Sequence, residues 1–192
     1  MQESDKAVSA LNYYAGTARN DLRSAEVDER TTAIPAFRQL LDYLASSGLA
    51  RVEGKFIRFI DEASRFTANG GWLEHYVFSC LLEAGKGDSR VQDAALGMEV
   101  ERNAGVRNEM DVACLANNTL HLIECKARNF KGRKSTGATG MLYKIDSVSD
   151  ILGGIQARAM IVSFRPLPRH DRIRADELGI AVIQGRDLTD ME

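Results

Sequence analysis

The chain has 192 residues, 44% hydrophobic and 27% charged, enough for one domain core with a small appendage and too apolar for a disordered tail. Its longest apolar runs fall well short of the ~18–20 residues that span a bilayer, and the N-terminal MQESDKAVSALNYY carries no basic-then-apolar leader, so a reduced, cytoplasmic protein without membrane contact is expected. Three cysteines, Cys80, Cys114 and Cys125, sit in apolar runs without CxxC spacing, which argues against a disulfide framework or a zinc site.

Net charge is -2 but unevenly spread. Between Lys126 and Arg174, eleven Lys and Arg stand against three Asp, a surplus of eight, leaving -10 for the remainder. Such segregation fits either a polyanion-facing surface or a solvated basic face.

Residues 1–30 are polar and weakly periodic and read as an N-terminal helix or linker. Thr31 or Thr32 can cap the next helix, with Pro35 in its first turn, where a missing N–H costs nothing. Phe37, Leu40, Leu41 and Leu44 recur at helical spacing, and Gly48 ends the run. Two short strands, LARV and KFIRFI, follow around Glu53-Gly54, a hairpin signal. Residues 31–68 therefore form a small helix-hairpin appendage, winged-helix-like but with one clear helix before the wing. From residue 69 a larger α/β domain is expected. GGWLEHYVFSCLLEAG reads as a buried helix, then GMEVER, VRNEMDVACLA and TLHLIECKA as strands. NFKGRKSTGATG has loop composition; MLYKIDSVSDIL is a helix, AMIVSF a strand, RHDRIRADELG a helix ended by Gly179, and IAVIQG a last strand.

The chemistry concentrates in the middle strands. Asn tolerates positive φ, so Asn117-Asn118 can close a two-residue hairpin that sets Ala116 opposite Thr119. That register puts Asp111 across from Glu124 and Glu109 across from Lys126, all four on one face, with Val112, Cys114, Ile123 and Cys125 on the other, facing the core. Facing carboxylates repel. A shared proton, Lys126, or a divalent cation can offset the repulsion, and paired oxygen ligands suit Mg²⁺ or Mn²⁺. The carbonyl of Cys125 can complete the cation's ligands. Lys126 is placed to orient water or to counter charge on a phosphate. Glu109 reads equally as a plain salt-bridge partner of Lys126. Glu74 lies on the apolar stripe of its helix beside Val77, Phe78 and Leu81, where a carboxylate is either paired or metal-bound, or is a first-turn acid favoured by the helix dipole. KGRKSTG lacks phosphate-loop spacing. Lys131, Arg133 and Lys134 can instead hold substrate phosphates, or be a solvated loop.

Asp111, then Glu124-Cys125-Lys126 on the adjacent strand, resembles the PD-(D/E)xK nucleases, with Met110 in place of the family's proline. The α-β-β-β-α-β order matches their restriction-endonuclease-like core. GGWLEHYVF, NEMDVACLANNTLHLIECKAR, MLYKID, GGIQARAMIVS and GIAVI together resemble CRISPR-associated ancillary nucleases, in which a cyclic-oligoadenylate-sensing CARF domain precedes the nuclease domain. That resemblance implies a homodimeric Mg²⁺- or Mn²⁺-dependent endonuclease cutting RNA or DNA in antiviral defence. It implies Glu74, Asp111, Glu124 and Lys126 as site residues and Lys144 near the scissile phosphate. The 192 residues leave no room for the sensor domain, so the chain is expected to be a fragment or a free-standing nuclease, and cyclic oligoadenylate a partner only through a domain absent here. The competing expectation is a silent nucleic-acid-binding or dimerisation module of a larger defence protein.

Overall fold

The computed structural model describes residues 2–87, 90–102, 105–128 and 137–190, which divide into two units, 1–72 and 73–192. In the first, α1 (Gln2–Thr17), α2 (Glu29–Thr32) and α3 (Pro35–Ser46) precede a hairpin of β1 (Ala50–Glu53) and β2 (Phe56–Phe59). Then α4 (Glu62–Phe66) runs into a wide π turn, Thr67–Gly71. Leu11 and Tyr14 of α1, Phe37 and Leu44 of α3, and Ile57 and Phe59 of β2 share one core. The buried Arg65 secures α4 to α1 by pairing with Glu62 and donating to the carbonyl of Ala15 at 3.0 Å.

Neither Thr31 nor Thr32 caps the helix at Pro35, as the sequence suggests. Both lie inside α2, whose cap is Asp28, accepting from the Thr31 amide at 2.8 Å. The cause is Pro35, which forces its predecessor out of the helical region. Ile34 is extended (φ -74°, ψ 114°) and splits one helix into two.

In the second unit α5 (Trp72–Gly87) is followed by β3 (Val91–Arg102), β4 (Val106–Ala116), β5 (Thr119–Lys126), α6 (Gly137–Leu152), β6 (Ala157–Ser163), α7 (Arg169–Glu177) and β7 (Ala181–Gln184), the expected order. The strands form one sheet in sequence order, antiparallel through β5 and parallel from β5 to β7. Ala113, Leu122 and Ile161 pack with Leu142 and Ile145 of α6 in a second core. Both sheet faces are buried, because Val112, Cys114, Ile123 and Val162 on the opposite side are closed off as well. The side that carries Asp111 and Glu124 is thus also a packed face, since alternation puts them beside Ala113 and Leu122. Tyr76 fastens α5 by donating to the carbonyl of Leu188 at 2.9 Å. No helix among the described residues is long and apolar enough to cross a membrane.

Candidate active site

Asn117 and Asn118 adopt φ of 51° and 57°, the left-handed pair that a two-residue hairpin turn needs. An amide exchange with Gln92 on β3 holds Asn118: its N–H donates to Gln92 Oε1 at 2.8 Å, and Gln92 Nε2 donates to its Oδ1 at 2.9 Å. The register that follows pairs Ala116 with Thr119, Cys114 with His121 and Val112 with Ile123.

There the ladder stops. The expected pairs Asp111/Glu124 and Glu109/Lys126 do not form. β4 continues against β3, where Glu109 faces Glu99, while β5 continues against β6, where Glu124 pairs with Ile161 and Lys126 with Ser163. The strands fork because the Asp111 side chain turns into the gap: its Oδ2 accepts from the Cys125 amide at 2.6 Å, taking the donor a further rung would use. In a strand, N–H and C=O of one residue point to the same edge, so the Cys125 carbonyl faces the same gap. Across from Asp111 on β3 lies Gly97, between the pairs Leu96/Val112 and Met98/Met110. Its φ of +64° puts a left-handed kink beside the fork.

Lys144 of α6 closes the mouth of the fork. Its ammonium lies 3.2 and 3.3 Å from the two carboxylate oxygens of Glu124 and donates to the Glu109 carbonyl at 2.8 Å. It thereby links α6, β4 and β5 at the acids. α6 is itself pinned to α7, because Thr139 Oγ1 donates to the buried carboxylate of Asp171.

The electrostatics are those of crowded acids. Burial pushes the Glu74 carboxyl up to about 7, reinforced by the charges of Asp111, Glu109 and Glu124. Glu124 is raised by burial and by Asp111, against Lys144 and Lys126. Asp111 is raised by burial, partly offset by the Cys125 amide, Lys144 and Lys126. The Cys125 thiol is pushed far above its ordinary value by burial and by the negative charge of Asp111, Glu74 and Glu124. Glu74, Asp111, Glu124 and Cys125 thus feel one another's charge, with Lys126 acting on Asp111 and Glu124. Among the described residues, no three His, Cys, Asp or Glu side chains are gathered tightly enough to hold a metal ion. Lys131, Arg133 and Lys134 lie outside the described residues. Lys144, read from sequence as a phosphate contact, sits against Glu124. Its reach to the Glu109 carbonyl left no trace in the sequence pattern, because it depends on how α6 crosses the sheet.

The Card1-like endonuclease domain family matches residues 60–192. Protein VC1899 from Vibrio cholerae is 40% identical over 99% of this chain, with a TM-score of 0.85. Can2 from Sulfobacillus thermosulfidooxidans, solved in complex with cyclic tetra-adenylate, is 29% identical over 96% of this chain, with a TM-score of 0.72. The chain spans about half the length of either, 50% and 48%. No curated protein matches it.

Proposed function

The chain belongs to the Card1-like endonuclease domain family, and we infer that it hydrolyses phosphodiester bonds of RNA or DNA with Mg²⁺ or Mn²⁺. The observation that carries this reading is the fork, which concentrates half-buried carboxylates around a gap lined by the Cys125 amide and closed by one ammonium. Carboxylates that raise one another's proton affinity are a site short of positive charge. Their oxygens, with the Cys125 carbonyl, are the hard donors that Mg²⁺ and Mn²⁺ take, so the residues present fit such an ion.

In this reading Asp111, Glu124 and the Cys125 carbonyl hold the cation, and Glu74 completes the set or serves a second ion. A bound cation supplies Lewis-acid polarisation of the phosphate and neutralises charge as it develops. Lys126, on the same face as Glu124, orients the attacking water and stabilises the phosphate oxygens. The Cys125 amide fixes the Asp111 carboxylate, so it needs no reorientation before reaction. Lys144 holds Glu124 in place, and with a cation on that carboxylate its ammonium would be available to a phosphate. In the same reading the whole protein works as a homodimer in CRISPR-linked defence, with any cyclic-oligoadenylate response residing in a separate sensor domain.

The test is incubation of the chain with labelled single- and double-stranded RNA and DNA in Mn²⁺, Mg²⁺ or EDTA. Cleavage is expected with either metal and absent with EDTA. Glu124→Ala should lower it by about 10²-fold or more while circular dichroism stays unchanged. Cleavage that persists in EDTA, or survives the substitution, removes the metal-dependent reading.

A further inference from the structure

The first unit carries a second surface with its own chemistry. Residues 22–24 lie beside β2: Phe59 N–H donates to the Leu22 carbonyl at 2.8 Å and Ser24 N–H to the Ile57 carbonyl at 2.8 Å. Arg23 is thereby bridged to Arg58, and β1 sets Arg51 opposite Arg58 on the other side. Residues directly opposite in an antiparallel pair share a face, so Arg23, Arg58 and Arg51 form one row across three strands. The reverse face of the hairpin, Ala50, Ile57 and Phe59, is packed into the core and makes the row's support rigid.

Like charges set directly opposite one another destabilise a sheet. The compensation here is partial. Glu53 accepts from Arg58 Nε at 3.0 Å, and the Asp21 carboxylate accepts only the backbone N–H of Arg23, at 3.2 Å. Among the described residues no ion pair forms to Arg23 or Arg51. The guanidinium of Arg23 instead lies 3.7 Å above the centre of the Phe56 ring, which fixes its plane and leaves its edge donors free. Lys55, just outside the row, is already matched by Glu26 at 2.8 Å. The feature is a preorganised line of planar, multidentate donors beside an aromatic ring. Three strands at ~4.8 Å spacing make it about 10 Å long, over which one nucleic-acid strand presents about two phosphates. Arginine forks match phosphate oxygens in a way that a lysine point charge does not.

We propose that this Arg23–Arg58–Arg51 row, with Phe56, binds the phosphate backbone of the nucleic acid on which the chain acts. The proposal rests on the nuclease reading for its ligand, but not on the acids of the second unit, so binding and cleavage are measured apart. Fluorescence anisotropy with labelled single-stranded RNA, single-stranded DNA and duplex DNA in EDTA, over a salt series, reads binding alone; Mn²⁺-dependent cleavage is read separately.

The triple variant Arg23→Gln/Arg51→Gln/Arg58→Gln should bind at least fivefold more weakly at 0.1 M salt. Its log–log salt slope should be shallower by about two. Arg51→Gln alone, on an exposed residue, should flatten the slope by about 0.7–0.9, which preserves the test should the triple variant fold poorly. Glu53→Gln should tighten binding, an effect that a structural role for the row does not produce, and Lys55→Gln should change little. Unchanged affinity and slope in Arg51→Gln and the triple variant overturn the proposal. So does failure of the parent to bind any of the three probes, or equal loss of binding in Lys55→Gln. Tight, row-dependent binding without cleavage would leave this inference standing and sink the nuclease reading. Binding of the row to phosphatidylserine vesicles, with nucleic-acid affinity untouched by the substitutions, would assign it to a membrane instead.

Discussion

Lys144 and Glu124 set the balance of charge in the fork: the lysine side chain is 37% exposed and the glutamate side chain 15%. Removing Lys144 takes the nearest positive charge from Glu124 and Asp111 and also removes the competitor for Glu124. Lys144→Met should therefore lower stability in EDTA, on the order of 1–2 kcal/mol once partial exposure is allowed for. It should also show a larger Mn²⁺-induced rise in melting temperature than the parent; thermal melts with and without Mn²⁺ check both. Glu74 gives a pH-dependent counterpart. Its carboxyl titrates near 7 in the folded protein, above its ordinary 4.5, so the folded state binds the proton more tightly than the unfolded one. Stability from this group is then present at low pH and lost as pH rises from about 4.5 to about 7. In EDTA, Glu74→Gln should be more stable than the parent at pH 8, on the order of 1 kcal/mol for a half-buried group. The gap should close towards pH 5. Urea titrations at the two pH values decide; a gap that widens on acidification would mean Glu74 is held by a positive partner.

At the scale of elements, the hairpin turn and its register were open to sequence reasoning, because two adjacent asparagines admit few backbone solutions and side chains alternate strictly along a strand. What the pattern misrepresents is the continuation. A period-two reading extends the ladder past Val112, whereas the Asp111 carboxylate takes the Cys125 amide and parts the strands. That substitution of a side-chain acceptor for a backbone one has no period and leaves no mark in the residue pattern. The helix over Gln2–Thr17 was obscured for a different reason: its buried stripe includes Ala7 and Ala15, small residues that weigh little in any hydrophobic count. Beyond the fork, β3 and β4 continue as a two-stranded ribbon whose outer residues Glu99, Glu101 and Arg107 are exposed and loosely ion-paired. Such ribbons are marginal by themselves. Amide exchange should therefore be markedly faster over 99–102 and 105–109 than over 112–116, and Mn²⁺ should slow it near Glu109, whose carbonyl is tied to the site. Uniform protection along β4 would contradict the fork.

At the scale of the whole molecule, the linear surplus of basic residues between 126 and 174 does not become one patch among the described residues. Lys126 and Lys144 lie at the acids, Arg158 is paired in register with His121, and Arg169, Arg172 and Arg174 are on α7. Lys126 and Arg158 are five rungs apart on parallel strands, about 16 Å. A charge count along the chain cannot see this, since successive elements cross the sheet. The two separate cores carry a further expectation. Calorimetry should resolve one transition that Mn²⁺ moves upward, from residues 73–192, and another that it leaves in place; a single transition moving as a whole would mean the cores unfold together.

Burial and the negative charge of Asp111, Glu74 and Glu124 all favour the protonated form of the Cys125 thiol. A protonated sulfur is a poor nucleophile and a poor ligand for thiophilic metals. Peroxide, maleimides and cadmium should accordingly find little to attack at the heart of the cluster, and the residue serves there through its main chain alone. Serine or alanine in its place would preserve everything the neighbouring aspartate requires.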